Sequence, residues 1–238
     1  MLDAEAPSSR FDAQPPADLR PAAERLFGAN LAVAVRYAEL LATEGTVRGL
    51  LGPRESSRVW DRHLLNCAAI AELVPPEARV VDVGSGAGLP GIPLAISRPD
   101  LSVVLLESLA RRTAFLDEVV DALQLRQVRV VRGRAEEWLR GQHDPADVAT
   151  ARALAPLDRL AAWCLPLVVP GGRVLAIKGE SAAEEVERHR PAIARLGGGA
   201  PSIRRCGVGL IDPPTTVVEI VRERGTAPLP GRARGRRR

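Results

Sequence analysis

The sequence predicts an α/β fold: a seven-stranded, mostly parallel sheet that ends in an antiparallel hairpin and carries an N-terminal helical cap. Three observations predict it. Short Val/Leu/Ile runs alternate with helix-patterned segments from about residue 79 to residue 195, which is the pattern of a parallel sheet covered on both faces. The first of these runs, residues 80–83, breaks into a turn holding Gly84, Gly86, Gly88 and Gly91. After Gly197-Gly198-Gly199 the alternation stops, and two strand-like runs, 203–209 and 216–222, flank a turn at Asp212-Pro213-Pro214.

Taken in order, residues 1–21 hold four prolines, Pro7, Pro15, Pro16 and Pro21, and read as an irregular lead-in with at most a helical turn near its end. From Asn30, a suitable N-cap, Leu31, Ala34, Val35, Ala38, Leu41 and Ala42 keep helical spacing. Tyr37, the only tyrosine, reads as interface filler. Residues 45–53 form a glycine-punctuated loop, after which Ser57 can cap a second helix with Trp60, Leu64, Cys67, Ala71 and Val74 on one face. Pro75 and Pro76 close the cap and set a domain boundary there, giving a cap at 1–75, a main domain at 76–225 and a basic tail at 226–238 expected to be disordered. In the main domain strands are expected at 79–83, 102–106, 128–132, 147–150 and 173–177. Helices are expected near 91–97, 109–123, 152–168 and 180–195. A terminal antiparallel hairpin is foreign to dinucleotide-binding folds and fits the Rossmann-like fold of class I methyltransferases.

Composition narrows the context. No apolar stretch is long enough for a membrane span, and the acidic start lacks an apolar signal core, so a cytoplasmic protein is expected. Cys67, Cys164 and Cys206 stand far apart in apolar surroundings and read as buried thiols, with no metal-ligand spacing among them or the three histidines. The net charge of +4 is local: five arginines (Arg232, Arg234, Arg236, Arg237 and Arg238) crowd the last seven residues, and without them +4 becomes −1. Such a tail suits a polyanion such as RNA, or is simply a solvated end. The chain has a single lysine, Lys178, so 32 of its 33 basic residues are arginine. Either Lys178 marks a position where a compact ammonium serves and a planar guanidinium does not, or the lone lysine is a chance survivor of the arginine bias.

In open α/β sheets ligands bind beyond the carboxyl ends of the strands. The residues expected there are Gly84 to Leu89 after the first strand, Glu107 ending the second, Ala135 and Glu136 after the third, Arg152 after the fourth and Lys178 at the fifth. Glu107 stands about 20 residues past the turn, where an acid can hold ribose hydroxyls. The glycine turn satisfies G-x-G-x-x-G, so a nicotinamide or flavin enzyme must be weighed. Asp82 two residues before Gly84, Pro90 and Pro93 at the helix start, and the hairpin ending all count against it. A hydrolase elbow fails because residue 83 is not glycine.

The stretch D-V-G-S-G-A-G-L-P-G-I-P-L at 82–94 resembles the signature of the RsmG (GidB) family. R-H-L-L-N at 62–66, L-L-E-S-L at 105–109, A-E-E at 135–137, A-R-A at 151–153 and A-I-K-G at 176–179 extend the resemblance over residues 30–222, leaving out the tail. The resemblance implies an S-adenosylmethionine-dependent methyltransferase acting on guanine N7 of 16S ribosomal RNA, alone or in the small subunit. It implies that Gly84, Leu89, Ala135, Glu136 and Arg152 contact the cofactor. Gly84 and Gly86 would admit its methionine portion, Glu107 the ribose, and Ala135-Glu136 the adenine edge. Arg152 could instead approach RNA.

No general base is expected, because N7 carries a free lone pair, and no catalytic residue is named. Candidates for the RNA side are Lys178, Arg111, Arg112 and His63, although His63 reads first as a packed or hydrogen-bonded helix residue. Trp60, Trp138 and Trp163 read as core, so base stacking is not announced. No metal is expected, and a monomer is. The rival readings are a small-molecule methyltransferase and a non-catalytic RNA-binding or ribosome-assembly factor on the same fold.

Overall fold

The structure is a computed structural model and describes residues 12–52, 55–141 and 143–223. The first part of the lead-in, with Pro7, and the basic tail lie outside the described residues.

Helix α1 (Arg20–Phe27) follows the lead-in prolines, with Pro21 in its first turn, where a missing N–H costs nothing. It is a full two-turn helix where the sequence suggested a single turn. Helix α2 (Leu31–Leu40) begins where expected, but Asn30 does not cap it. The Asn30 Nδ2 instead donates to the Ile96 carbonyl at 2.9 Å, tying the N-terminal helices to the segment that follows the glycine turn. The chain is helical again from Ser56 to Leu73, wound partly as a π-helix (Val59–Leu65) with a short α-helical stretch, α3 (Asn66–Ala68). Ser57 lies inside the opening 3-10 turn and is not the N-cap. Trp60, Leu64, Cys67 and Val74 are buried on one face, as the spacing required.

All seven strands pair into one sheet of order β3-β2-β1-β4-β5-β7-β6. They are β1 (Arg79–Val83), β2 (Ser102–Glu107), β3 (Val128–Arg132), β4 (Ala146–Arg152), β5 (Val168–Lys178), β6 (Ser202–Cys206) and β7 (Thr215–Val221). The first five are parallel, whereas β7 runs antiparallel between β5 and β6. This is the mostly parallel sheet with a terminal antiparallel hairpin that the sequence predicts, with the order reversing between β1 and β4. Strand β6 stops at Cys206, short of the expected 209, because Gly207 and Gly209 take positive φ and turn the chain away.

Helices α4 (Gly91–Ser97), α5 (Ala110–Ala122), α7 (Leu157–Cys164) and α8 (Ala182–Arg195) connect the strands, and a one-turn α6 (Ala135–Trp138) follows β3. Helix α7 starts five residues later than the expected 152. Residues 153–156 are a loop, with Ala153 at φ +49° and Pro156 at the N-cap. The sheet separates two apolar clusters. One joins the cap (Phe27, Tyr37, Leu41, Trp60, Leu64) to α4 and α5, and the other gathers Leu157, Leu160, Cys164, Val186 and Ile193 of α7 and α8. All three cysteines are free and buried. Among the described residues, no helix is long and apolar enough to cross a membrane.

Candidate functional site

The candidate site lies at the carboxyl ends of β1 to β5, and Asp82 organises its centre. Its side chain is wholly buried behind the glycine turn. Asp82 Oδ2 accepts the Gly91 N–H at 3.0 Å, and Oδ1 lies 3.3 Å from the Thr150 hydroxyl. Burial away from water pushes its carboxyl up to about 7, against the lowering effect of these hydrogen bonds. Gly91 must be glycine, because a Cβ there would meet Leu105 and come within 2.8 Å of Asp82 Oδ2. Tyr37, fully buried, donates its hydroxyl to the Ala87 carbonyl at 2.9 Å. The cap therefore braces the turn from behind, and Tyr37 is the interface residue the sequence suggested.

Glu107 ends β2 only 3 % exposed. Its Oε2 accepts the Gly86 N–H at 3.0 Å, and Oε1 accepts the Leu109 N–H at 2.9 Å. Ser108 Oγ and Arg112 Nη1 stand at 3.5 Å, the outer limit of a hydrogen bond. The carboxylate thus locks the glycine turn to the start of α5 while keeping acceptor capacity on each oxygen.

Ala135 and Glu136 line a cavity of about 170 Å³ with Gly84, Ser108, Leu154 and Trp163. Glu137, next in the chain, accepts the Arg134 N–H at 2.9 Å and so fixes this turn of α6. Trp163 is the residue that sequence reasoning assigned elsewhere. It is only partly buried and presents an aromatic wall to the cavity, with Arg159 stacked 5.5 Å from its ring. Its apolar neighbours in α7 gave a core signal and concealed its position at the helix edge. Leu89 is half-buried against the cap-side core and is not among the residues lining this cavity.

Beside it opens a cleft of about 1310 Å³ between the cap, the loop after β4, α8 and the turn before β7. Arg152 and Lys178 line it, as do Arg58, Arg62, Arg188 and Arg205, which sequence reasoning passed over. Arginines so numerous give no sequence signal of their own. Arg152 is held from behind: its Nη2 donates to His63 Nδ1 at 2.8 Å, and its Nη1 contacts Cys67 Sγ at 3.3 Å. His63 Nε2 faces Glu55 Oε2 at 3.1 Å. His63 is 5 % exposed, and burial, helped by the Arg152 charge, lowers it to about 4. It is therefore neutral, accepting from Arg152 and donating to Glu55, with both ring nitrogens engaged. That is the hydrogen-bonded helix residue the sequence favoured.

The ammonium of Lys178 is 2.9 Å from the Ala155 carbonyl and 2.8 Å from Glu185 Oε2. Glu185 Oε2 also accepts the Leu157 N–H at 3.1 Å. Arg111 and Arg112 stand apart from this cleft, at the start of α5, where Arg112 faces Glu107. The structure thus brings Arg152 and Lys178 to one cleft, puts His63 behind Arg152, and leaves Arg111 and Arg112 elsewhere. Among the described residues no cluster of His, Cys, Asp and Glu could hold a metal.

Residues 30–209 match a family model, GidB, described as rRNA small subunit methyltransferase G. A ribosomal RNA small subunit methyltransferase G of Salinispora arenicola is 62% identical, over 95% of this chain and 98% of that protein. The one of Mycolicibacterium gilvum is 55% identical over 94% and 96%. Among solved structures, mitomycin 7-O-methyltransferase MmcR superposes with a TM-score of 0.52 at 17% identity, over 87% of this chain and 76% of that one. The S-adenosylmethionine-dependent methyltransferase SibL gives 0.52 at 18% identity, over 87% and 71%. Both likenesses are of fold.

Proposed function

The chain belongs to the GidB family, that of rRNA small subunit methyltransferase G, and from this membership we propose that it transfers a methyl group from S-adenosylmethionine to N7 of a guanine in 16S ribosomal RNA. The observation that carries the reading is the meeting of two cavities of different character at one edge of the sheet. The smaller is walled by glycine backbone, an aromatic ring and Glu136; the larger is wide and lined by five arginines and Lys178 interspersed with five carboxylates.

The residues of the smaller cavity, with Gly86 and Glu107 beside it but outside its lining, supply the groups the cofactor needs. Gly84, at φ +71° and without a Cβ, leaves a space above the backbone that Leu154 fills here and that a ligand would need. Trp163 offers a face for adenine, and Glu136 an acceptor for its amino group. On Glu107, Ser108 and Arg112 would give way at their 3.5 Å contacts to two ribose hydroxyls, leaving Gly86 and Leu109 in place. Arg152 lines the larger cavity, where its charge would meet either the cofactor's carboxylate or the RNA. When bound, the cofactor supplies an electrophilic sulfonium methyl.

Guanine N7 attacks through a lone pair in the plane of the base, with no proton to remove first. The chain's task is then to align the base and exclude alternatives, and orientation alone can supply much of the rate. Asp82 is sealed behind the turn, and His63 has no free nitrogen, so neither is a base for this reaction. The acceptor must be an exposed or extruded base.

Labelled methyl transfer to small subunits and to naked 16S RNA, followed by mapping of the modified nucleotide, tests the proposal. Label at a guanine N7 is expected. Transfer to no guanine, with cofactor bound, refutes it.

One observation favours a second reading, methylation of a hydroxyl on a small molecule. His189 lines the cleft, with Nδ1 3.6 Å from Asp158 Oδ1, an arrangement that could supply a base. His189→Gln separates the two. N7 transfer keeps its kcat within about threefold, whereas a reaction using His189 as general base loses about 10²-fold or more.

A further inference from the structure

Leu154 lines both cavities, and among the described residues it is the one they share. A Cβ built on Gly84 would lie 2.5 Å from Leu154 Cδ1, so the leucine sits directly over the glycine that a cofactor must approach. With the side chain there, the smaller cavity measures about 170 Å³, below the roughly 300 Å³ at which small-molecule pockets begin. The leucine rides on the loop between β4 and α7. Ala153 before it stands at φ +49°, a conformation costly for an L-residue and one that only a fixed surrounding maintains. Two residues further on, the Lys178–Glu185 pair holds the same loop. Lys178 holds the Ala155 carbonyl, and Glu185 holds the Leu157 N–H, so the loop is clamped on the carboxyl side of Leu154.

We propose that Leu154 is a gate between donor and acceptor, with Lys178 and Glu185 as the positioning residues that limit its travel. This rests on the methyltransfer reading above. The side chain withdraws from Gly84 when the donor enters. The space open to it is the larger cavity, where it becomes the wall against which the acceptor base is set. Donor binding thereby shapes the acceptor site. The same geometry accounts for the single lysine. An ammonium places donors toward two oxygens, 2.9 Å and 2.8 Å away, from one point, whereas a longer planar guanidinium in that space would push Ala155 outward.

The test measures S-adenosylmethionine affinity by calorimetry and kcat on 16S RNA, for wild type, Leu154→Ala, Leu154→Met, Lys178→Arg and the double variant that combines Leu154→Ala with Lys178→Arg. Removing the gate removes a competitor for the donor site. Leu154→Ala is expected to bind donor about threefold or more tighter while kcat falls about tenfold, and Leu154→Met to recover most of that kcat. Lys178→Arg is expected to lower kcat about tenfold with donor affinity within about threefold, and to add little in the Leu154→Ala background, since both act through one element. Donor binding by Leu154→Ala no tighter than wild type overturns the gate. So does a full Lys178→Arg effect in the Leu154→Ala background. Failure of the wild type itself to bind S-adenosylmethionine would instead strike the functional reading on which the gate rests.

Discussion

Two buried ionisable residues bear on stability with opposite signs. Asp82 has its folded pKa raised from 3.8 to about 7, so between those values the native state holds a proton that the unfolded chain has lost. Its contribution to stability is fully present below pH 4 and declines as pH rises to 7, by about 4 kcal/mol. His63 has its folded pKa lowered from 6.5 to about 4, so the unfolded chain takes the extra proton. Its contribution is full above pH 6.5 and is lost as pH falls toward 4, by about 3 kcal/mol. The slopes oppose each other between pH 4 and 6.5, and the wild type is expected to show a shallow profile there. Urea unfolding of Asp82→Asn should expose the His63 limb, with stability rising from pH 4 to 6.5. His63→Gln should expose the falling Asp82 limb. A wild-type slope unchanged in both variants would contradict the assignment. The positions of these residues were legible in the sequence, Asp82 from its place before the turn and His63 from its helix. Their partners were not. Which oxygen meets Gly91, and that Arg152 reaches back across the sheet edge to His63, depends on contacts between residues 9 and 89 positions apart.

At the scale of elements, most strands lay within two residues of the positions that apolar runs dictated. The exceptions are β6, which ends at Cys206, and β5, which starts at Val168 before its Gly171-Gly172 turn. Strands buried on both faces announce themselves by composition. The β4–α7 connection was the misreading. Residues 152–156, R-A-L-A-P, are mostly helix formers, and only Pro156 signalled that the residues before it leave the helical region. The gate loop was therefore hidden inside an expected helix. Glycine placement tells more, because it reports what the backbone must avoid. Gly91 opens α4 where a Cβ would strike Leu105 and press on Asp82 Oδ2. Gly91→Ala should cost about 2–3 kcal/mol, read as a fall in the urea midpoint at unchanged m-value. Because the clash would also disturb the Gly91 N–H bond to Asp82, donor binding should weaken with it. Full retention of both would mean that α4 can shift outward freely, against its wholly buried Ile92 and Leu94.

For the whole molecule the question is how a nearly neutral body engages a polyanion. Without the last seven residues the net charge passes from +4 to −1. The cleft does little to reverse this, since Asp61, Glu180, Glu184, Glu185 and Asp212 stand among its six cations. Three of those cations are already paired, Arg58 with Asp61, Arg62 with Glu55 and Lys178 with Glu185. If the chain methylates RNA as proposed, long-range attraction is expected to come mainly from the terminal arginines, with the cleft selecting the base at short range. Each phosphate neutralised releases counterions and adds about 0.9 to the slope of log affinity against log salt on a duplex, and about 0.7 on a single strand. Deleting residues 232–238 should lower that slope by about 3 to 5 if all five arginines engage. KM for 16S RNA should rise steeply at low salt, while kcat and cofactor affinity stay at wild-type values, because no residue lining either cavity is removed. Filter binding from about 50 to 300 mM salt reads the slope, and saturation kinetics read the rest. An unchanged slope would place the RNA-binding charge on the folded body, and Arg188 and Arg205 of the cleft would be the next to neutralise.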